Sequence, residues 1–272
     1  MDKERIDIMV VKLGLAASRE EAKRFIMAGK IFSGTECIDK PGAKVPIDAA
    51  IICKGDKSPY VGRGALKLEK ALQVFPVSLK DKVVLDVGAS TGGFTDCSLQ
   101  AGAQLVYSVD VGYGQLAWKL RQDPRVRVME RVNFRHVEAS LFVPPPNAAV
   151  MDVSFISIAK LLPKLKEVLV PGSPFIGLIK PQFEAGFGKV GKGGIVRDPE
   201  VHREVLHRLV RILKTEQFQV CGVVPSPIRG GDGNIEYLLW SFNGMNGCEK
   251  EVDDRELDEQ VSIAQLLNDS HQ

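Results

Sequence analysis

Apolar residues recur at two different spacings along the chain, and the change of spacing divides the chain into two parts. Near the beginning, Ile6, Val10 and Leu13 share one face of a predicted helix. Residues 18–21, Ser-Arg-Glu-Glu, form a capping box, which predicts that a second helix begins there. Short apolar runs typical of β-strands follow. We therefore predict a small α+β domain over residues 1–58.

The second part alternates short apolar runs with helical patterns. Such alternation is typical of an α/β domain in which helices cover a parallel sheet. Residues 59–64 are rich in glycine and predict a linker, so the second domain is expected over 65–246. The predicted strands are 83–87, 105–110, 126–130, 148–152, 175–179, 219–224 and 235–241, with helices at 94–101, 158–168 and 199–215.

Length and composition fit a protein with one medium and one small domain. The chain has 272 residues, of which 44% are hydrophobic and 26% charged, as in globular proteins. No apolar run approaches the roughly 18 residues that a membrane span needs. The charged N-terminus lacks the apolar core of a signal peptide. We expect a cytoplasmic protein without a membrane partner.

Charge is distributed unevenly along the chain. Residues 249–272 contain eight acidic and two basic side chains, a net charge of −6, which leaves the rest of the chain at +8. A basic body suits a polyanionic partner, although an ordinary solvated surface would have the same composition. The acidic segment 247–272 is predicted to be a mobile appendage.

The cysteines and histidines do not indicate a metal site. The five cysteines are scattered without a C-x-x-C pair, so we expect reduced thiols and neither zinc nor a disulfide. His202 and His207 are five residues apart, which places them on different faces of a helix and argues against a zinc site.

The most informative stretch is 83–95, where an apolar strand leads through a glycine-rich turn into a helix. Three interpretations compete. A dinucleotide-binding loop is disfavoured because Ser90 replaces the middle glycine of G-x-G-x-x-G. A hydrolase nucleophile elbow fits G-x-S-x-G at 88–92 with Ser90 as nucleophile, but no histidine is well placed to activate it.

The third interpretation is an S-adenosylmethionine loop. Asp86 ends its strand beside the glycines, and Asp110 ends the next strand, where a carboxylate can hold ribose hydroxyls. A sulfonium cofactor without phosphates tolerates such acidic surroundings. We favour this interpretation over the others. The predicted cofactor-binding residues are Asp86, Gly88, Ala89, Ser90, Gly92, Gly93, Phe94, Asp110 and Asn133.

Ionisable residues also mark the ends of other predicted strands. Asp152 and Lys180 each end an apolar strand, and Glu236 lies near the beginning of the last one. Lys67 lies in a predicted helix just ahead of the sheet. Each alone is explained by a surface ion pair. Together they predict a site, because the carboxyl ends of parallel strands share one crevice and a buried ammonium needs partners.

Each of the two predicted domains resembles a known protein family. The first domain resembles an S4 RNA-binding domain in residues 5–7, 13–19, 21–22, 26 and 28–31. The second domain, from Gly62 to about Phe242, resembles FtsJ-like ribose 2′-O-methyltransferases. The second resemblance is carried by the settings of a Lys-Asp-Lys-Glu tetrad at 62–68, 151–155, 178–184 and 233–237. An S4 domain ahead of such a domain is similar to the TlyA family, long labelled as hemolysins, which methylates cytidine ribose in ribosomal RNA.

The resemblance implies a Rossmann-like class I methyltransferase domain preceded by an S4 domain, with S-adenosylmethionine as cofactor and ribosomal RNA or ribosomal subunits as partner. It implies Lys67, Asp152, Lys180 and Glu236 as catalytic residues, with Lys180 as our candidate base. Spacing alone leaves a basic helix face in 1–58 undecided between phosphate contact and solvation, and the resemblance favours RNA. The predicted RNA-binding residues are Arg5, Arg19, Lys23, Arg24 and Lys30, together with Lys189 and Lys192 of the glycine-rich loop 187–197.

Three alternatives remain open from the sequence. One is a serine hydrolase that uses Ser90. Another is a membrane-active, hemolysin-like protein, for which we find no amphipathic membrane helix. The third is an S4-type RNA-binding protein whose second domain has lost activity, against which the complete tetrad argues.

Overall fold

The structure is a computed structural model in which the chain forms two compact units, Met1–Pro59 and Tyr60–Gln272. The boundary falls at the start of the predicted linker 59–64. Tyr60 and Val61 already belong to the second unit, because they pack against its core and the Val61 amide donates to Asp96 Oδ2 at 2.8 Å. The described residues are 3–16, 18–34, 36–53, 59–186, 188–244 and 247–269, so residue 187 of the predicted loop lies outside them.

The first unit is the predicted α+β domain. Its second helix begins at the predicted capping box, where Ser18 Oγ accepts from the Glu21 amide at 3.2 Å. Leu13 follows the end of the first helix and is exposed, unlike Ile6 and Val10, which are buried. The elements are β1 (Lys3–Arg5), α1 (Ile6–Lys12), α2 (Arg19–Met27), β2 (Ile31–Ser33), β3 (Glu36–Ile38), β4 (Lys44–Pro46) and β5 (Ile51–Cys53).

The second unit has the predicted α/β pattern, with every predicted strand found within two residues of its expected ends. The predicted helix 158–168 is divided into a 3-10 turn and a shorter α-helix. The elements are α3 (Ala65–Val74), β6 (Val83–Val87), α4 (Gly93–Gln100), β7 (Leu105–Asp110), α5 (Trp118–Arg121), β8 (Val126–Glu130), β9 (Ala148–Met151), α6 (Leu162–Val168), β10 (Pro174–Ile179), α7 (Pro181–Glu184), α8 (Pro199–Thr215), β11 (Phe218–Pro225), β12 (Tyr237–Asn243) and α9 (Asp254–Asp269).

One seven-stranded sheet organises the second unit, in the order β11-β12-β10-β9-β6-β7-β8. The strands from β8 to β10 run parallel, whereas β12 is antiparallel to both β10 and β11. The chain runs outward from β6 to β8 and then returns to build β9 on the other side of β6. A crevice at the carboxyl ends of β6 and β9 is therefore expected, as in other doubly wound sheets.

The acidic C-terminal segment differs from the predicted appendage. It forms α9, whose Leu257, Val261 and Ala264 are buried in the core beside α8 and β11. These residues recur at helical spacing, a pattern that the many acids around them obscured. The acids face bases of α8: His207 contacts Asp258 at 2.8 Å.

The cysteines also differ from the expectation of five reduced thiols. Cys221 of β11 and Cys248 form a disulfide across 27 residues of sequence. The chain after β12 returns along β11, and Gln219 fixes that return because its Oε1 accepts from the amides of Gly247 and Cys248. A search for closely spaced cysteine pairs misses a pairing that depends on this fold. Cys37, Cys53 and Cys97 are free thiols.

Candidate active site

The four ionisable residues predicted from strand ends come together at one edge of the sheet. Asp152 follows β9 and Lys180 follows β10, at the carboxyl ends of two parallel strands. Glu236 instead precedes β12, but that strand is antiparallel, so its beginning lies at the same edge. Lys67 is contributed by α3. We call Lys67, Asp152, Lys180 and Glu236 the tetrad.

The tetrad forms one continuous chain of opposite charges. Lys67 Nζ lies 2.6 Å from Glu236 Oε2 and 3.6 Å from Asp152 Oδ2. Lys180 Nζ lies 2.6 Å from the other Asp152 oxygen. Asp152 therefore joins the two lysines, and the two positive and two negative charges balance. Such pairing allows two ammonium groups to lie out of water at close quarters.

Burial is deepest at the Glu236 end of the tetrad. Lys67 and Glu236 are both buried, whereas the Asp152 side chain is 19% exposed. Burial raises the pKa of Glu236, and the neighbouring Lys67 opposes that rise. A Cβ at Gly230 would lie 2.5 Å from Glu236 Oε1, so the turn over this carboxylate accepts only glycine without rearrangement.

Sequence reasoning missed the segment that follows Asp152. Lys180 Nζ donates to Ser154 Oγ at 2.9 Å, which fixes the ammonium from a second side. Phe155 has a left-handed backbone (φ 62°) and is 91% exposed, a rare combination for a bulky apolar residue. Its ring lies 5.0 Å from that of Phe183. A strained, solvent-facing aromatic beside the tetrad is a signal that only the structure provides.

Glu184 holds this segment in place. It is buried at the end of α7, where it accepts from Ser157 Oγ at 2.7 Å and from the Ile158 amide at 2.8 Å. Burial raises the pKa of Glu184, and these hydrogen bonds oppose the rise. The strand end that carries Lys180 is thereby tied to the segment that carries Asp152 and Ser154.

The glycine-rich turn after β6 is shaped by close backbone approaches. Gly88 has φ 85°, and a Cβ there would lie 2.5 Å from the carbonyl oxygen of Asp152. Gly92 has φ 95°, and its Cβ would lie 2.2 Å from Leu120 Cδ1. Both positions need a left-handed backbone and no side chain. The turn can therefore lie directly against the tetrad segment.

A cavity of about 500 Å³ opens beside this turn. Asp110 lies on its wall, and the two carboxylate oxygens accept from the amides of Ser90 and Gly112, each at 2.7 Å. Asp152, Ser154 and Phe155 connect the cavity to the tetrad. The other lining residues are mostly apolar and were not predicted, except for Gly88, Ser90 and Asn133: Val87, Gly88, Ser90, Val109, Val111, Gln115, Val132, Asn133, Phe134, Val153, Ile156 and Leu161.

The structure places several predicted cofactor residues outside this lining. Ala89 and Phe94 are buried in the core, and Gly92 and Gly93 belong to the turn but do not line the cavity. Asp86 is fully buried, and Thr95 Oγ1 donates to its Oδ2 at 2.6 Å. Burial raises the pKa of Asp86 to about 7. An acid that ends a strand can point into the sheet's packing layer, and the sequence does not distinguish this case from one that faces a ligand.

The geometry at Ser90 does not support the hydrolase alternative. Ser90 Oγ donates to Gln115 Oε1 at 3.3 Å, so its hydroxyl is directed at an amide and not at an imidazole. His202 is buried between the Tyr237 hydroxyl and the Val196 carbonyl, and burial lowers its pKa. A base that would activate the serine is missing from the described surroundings of Ser90.

The predicted RNA-binding side chains have different surroundings. Arg5 and Arg19 both donate to the buried Asp7, whereas Arg24 is exposed. Lys23 pairs with Glu20, and the ammonium of Lys30 lies 5.7 Å from the ring centre of Phe25. In the glycine-rich loop, Lys189 pairs with Glu204 and Lys192 is exposed.

Two kinds of feature are absent from the residues that the structure describes. None of their helices is both long enough and apolar enough to cross a membrane. Within the same residues, histidine, cysteine and acidic side chains form no cluster of three that could hold a metal ion.

Comparison with known proteins assigns both units. Residues 60–242 match the FtsJ-like methyltransferase family and residues 4–51 match the S4 domain. An rRNA methyltransferase by name, YqxC of Bacillus subtilis, is 55% identical over 91% of this chain and 89% of its own length. The 16S/23S rRNA (cytidine-2′-O)-methyltransferase TlyA of Mycobacterium tuberculosis is 40% identical over 87% and 88%.

A solved structure agrees with this assignment. A protein from Streptococcus thermophilus that carries a hemolysin name superposes with a TM-score of 0.79 at 45% identity, and the match covers 100% of both chains. The predicted order of domains and the predicted Rossmann-like fold are thus confirmed. The chain belongs to the FtsJ-like methyltransferase family and has an S4 domain ahead of its methyltransferase domain.

Proposed function

We propose that this protein transfers the methyl group of S-adenosylmethionine to a ribose 2′-hydroxyl of ribosomal RNA. One observation carries the proposal. The tetrad forms a single ion-paired chain, and its member Asp152 also lines the cavity of about 500 Å³ (the larger cavity).

The residues of the larger cavity fit the cofactor. Asp110 would hold the ribose hydroxyls through its carboxylate, whose position two backbone amides already fix. Apolar walls such as Val111 and Val132 suit an adenine ring, and Asn133 would read its edge. When bound there, the cofactor supplies an electrophilic methyl group on a sulfonium.

Lys180 is the residue that we expect to act on the hydroxyl. As a neutral amine, its Nζ would take the proton of the 2′-hydroxyl, so that the ribose oxygen could accept the methyl group that the cofactor would supply. The ammonium formed in this step would be stabilised by Asp152, 2.6 Å away. Ser154 restricts the direction in which Nζ points.

The other two tetrad members position charge. Glu236 holds Lys67 through a buried contact of 2.6 Å, and Lys67 in turn shares Asp152 with Lys180. Lys67 would also contact a ribose or phosphate oxygen of the RNA. This arrangement would hold the ribose hydroxyl in the orientation needed for methyl transfer. We expect such positioning to supply most of the rate increase.

Several features support ribosomal RNA as the substrate. The S4 unit supplies exposed basic side chains. Phe155 presents an aromatic surface of the kind on which unpaired nucleobases stack. The relative from Mycobacterium tuberculosis is named for cytidine 2′-O-methylation of 16S and 23S rRNA. We propose cytidine as the target nucleoside and the cytoplasm, where ribosomes assemble, as the site of action.

The test compares Lys180→Ala and Lys180→Arg with wild type. Transfer of labelled methyl groups to ribosomal subunits is measured, and 2′-O-methyl positions are mapped. Both variants should lose roughly 10²- to 10⁴-fold in rate, because neither alanine nor a guanidinium accepts the proton. Lys164→Ala, which removes a lysine paired with Glu167 on α6, should leave the rate unchanged. Near-normal turnover in Lys180→Arg would remove Lys180 as the base.

A further inference from the structure

A second cavity, of about 270 Å³, lies beside the turn that leads into β12. We call it the arginine cavity. One wall is the end of the glycine-rich loop, the opposite wall is the turn itself, and a side chain of α9 completes the lining. Its members include two arginines, one amide and three aliphatic residues: Arg197, Arg229, Gln265, Ile195, Val196 and Ile235.

The two arginines give this cavity its chemistry. Arg197 and Arg229 come from different segments, yet both line the same small space. Both side chains are exposed, and the planar donors of a guanidinium match the oxygens of a phosphate. The aliphatic wall reduces the competition from water for that contact.

A second and independent observation also indicates a ligand. Gln265 Nε2 is buried and has no hydrogen-bond partner among the described residues. A buried amide donor without an acceptor is unfavourable, so such groups in folded proteins usually have a partner. Gln265 lines the arginine cavity, where an oxygen of a bound group would supply the missing acceptor.

The walls of the cavity are held rigidly. Asn234 is fully buried; its Oδ1 accepts from the Val196 amide at 3.0 Å, and its Nδ2 donates to the Gly194 carbonyl at 2.9 Å. Asn234 thus joins the glycine-rich loop to the turn. The buried ring of His202 contacts the Val196 carbonyl at 3.0 Å and fixes the loop from its other side. The cavity is therefore preformed.

The arginine cavity also adjoins the tetrad. Ile235 lines it and is followed directly by Glu236, whereas Asp152, near the other end of the tetrad, lines the larger cavity. Asp152 is thus a lining residue of the larger cavity, whereas the arginine cavity is lined by the sequence neighbour of Glu236 and by no tetrad member. A polymer anchored in the arginine cavity would approach the tetrad beside Glu236 and leave the larger cavity for the cofactor.

We infer that the arginine cavity is a phosphate subsite for the RNA substrate, in which Arg197 and Arg229 hold one backbone phosphate and Gln265 donates to it. This inference rests on the proposed function, since it names a contact that the substrate makes outside the tetrad. It also assigns a role to α9, which supplies one wall of the subsite.

The first test uses the full chain with Arg197→Ala, Arg229→Ala and the double variant. Affinity for a single-stranded oligoribonucleotide is measured over a series of salt concentrations. Each arginine that contacts a phosphate should contribute roughly 0.7 to the slope of log affinity against log salt, so the double variant should lose about 1.4. The KM for ribosomal subunits should rise, while kcat and cofactor affinity change little. Arg211→Ala, an exposed arginine of α8 outside the cavity, is the matched control.

The second test uses Gln265→Leu, which keeps the size of the wall and removes the donor. Its melting temperature should equal or exceed that of wild type, because an unpaired buried group is lost, whereas RNA affinity should fall. A loss of RNA affinity that only accompanies a fall in melting temperature would assign Gln265 a structural role.

Two results would overturn the inference. In the first, the double variant binds the oligoribonucleotide with the wild-type slope and has the wild-type KM. In the second, inorganic phosphate binds in an arginine-dependent way while the RNA slope is unchanged, which would make the cavity a site for a free anion. A failure of the proposed function is distinguishable from both, because wild type would then transfer no methyl groups although the arginine-dependent slope could still be measured.

Discussion

Each unit of the protein contains a fully buried aspartate, and the two aspartates have opposite electrostatics. In the S4 unit, the Arg5 hydrogen bond, with help from Arg19, lowers the pKa of Asp7 to about 2. In the methyltransferase unit, burial raises the pKa of Asp86 to about 7, and only hydroxyl and backbone donors oppose it. Near neutral pH the carboxylate of Asp7 is thus charged, whereas that of Asp86 is partly protonated.

The difference shows that the depth of burial and the neighbouring cations together decide the charge of an acid. Asp7 has two cations and serves as the centre around which α1 and α2 are joined. Asp86 has none, and only hydrogen bonds from Thr95 oppose the effect of burial on its pKa. Glu236 is intermediate, because burial raises its pKa while Lys67 favours its ionised form.

The largest effect is expected for Glu236→Gln. Lys67 would keep only Asp152, 3.6 Å away, and would draw that carboxylate away from Lys180. Methyl transfer to ribosomal subunits should fall roughly 100-fold, within the range of a displaced acid–base group. Cofactor affinity, measured by calorimetry, should not change. Glu167→Gln on the surface of α6 is the control, and full activity in Glu236→Gln would show that the pairing of Lys67 is dispensable.

Asp86→Asn should change how stability depends on pH. Because its folded-state pKa is raised to about 7, the Asp86 contribution is fully present below its unfolded pKa and is lost as pH rises toward 7. One pKa unit corresponds to about 1.4 kcal/mol, so the loss is on the order of 2–4 kcal/mol. Denaturant unfolding at pH 5 and pH 8 should show a smaller decline for Asp86→Asn than for wild type. The exposed Glu138→Gln should retain the wild-type decline.

Asp7→Asn should have the opposite pH dependence in the other unit. Its pKa is lowered, so its contribution is present above the unfolded pKa and is lost as pH falls toward 2. Arg5 and Arg19 are 44% and 50% exposed, so solvent limits the cost at pH 7 to about 1–2 kcal/mol. Hydrogen exchange of the amides in α1 should be faster in Asp7→Asn at pH 7. A difference that persisted undiminished near pH 2 would contradict this account.

The smallest effect is expected for Arg24→Ala. Arg24 is exposed, and a phosphate contact there would contribute roughly 0.7–0.9 to the salt slope of RNA affinity. Unfolding of the S4 unit should be unchanged. Arg19→Ala is the informative comparison, because Arg19 also binds Asp7 and should lower stability as well as RNA affinity. An equal loss of stability in both variants would show that the two arginines do not differ in this way.

The sequence predicted the fold well because the strands of a doubly wound sheet are buried on both faces. Runs such as 83–87 and 105–110 are mostly apolar, and the structure has them at the predicted residues. The tetrad was predictable for a related reason: ionisable residues at the ends of apolar strands must share one edge of a parallel sheet. Glu236 needed the family resemblance, since the antiparallel direction of β12 cannot be read from its residues.

Features that depend on packing between distant segments were not predictable. The many acidic residues of segment 249–272 led to the prediction of a mobile appendage, although Leu257 and Val261 have the spacing of a buried helix face. The cavity walls are formed by ordinary aliphatic residues, such as Val111 and Val132, that nothing in the sequence distinguishes from core. The direction in which Asp86 points is likewise fixed only by the packing of α4 against the sheet.

The antiparallel β12 has a consequence for the order in which the molecule assembles. The strands around the larger cavity, β6, β7 and β9, are neighbours that pair without it, whereas β11 pairs only with β12 among the described strands. The contacts of β10 with β12 join residues about 60 apart in sequence and close a long loop, a slow step. Glu236 reaches Lys67 only when β12 inserts. A partly opened molecule that has lost β11 and β12 would therefore keep the strands around the larger cavity but lack a complete tetrad. Such a molecule could bind the cofactor before it could transfer the methyl group.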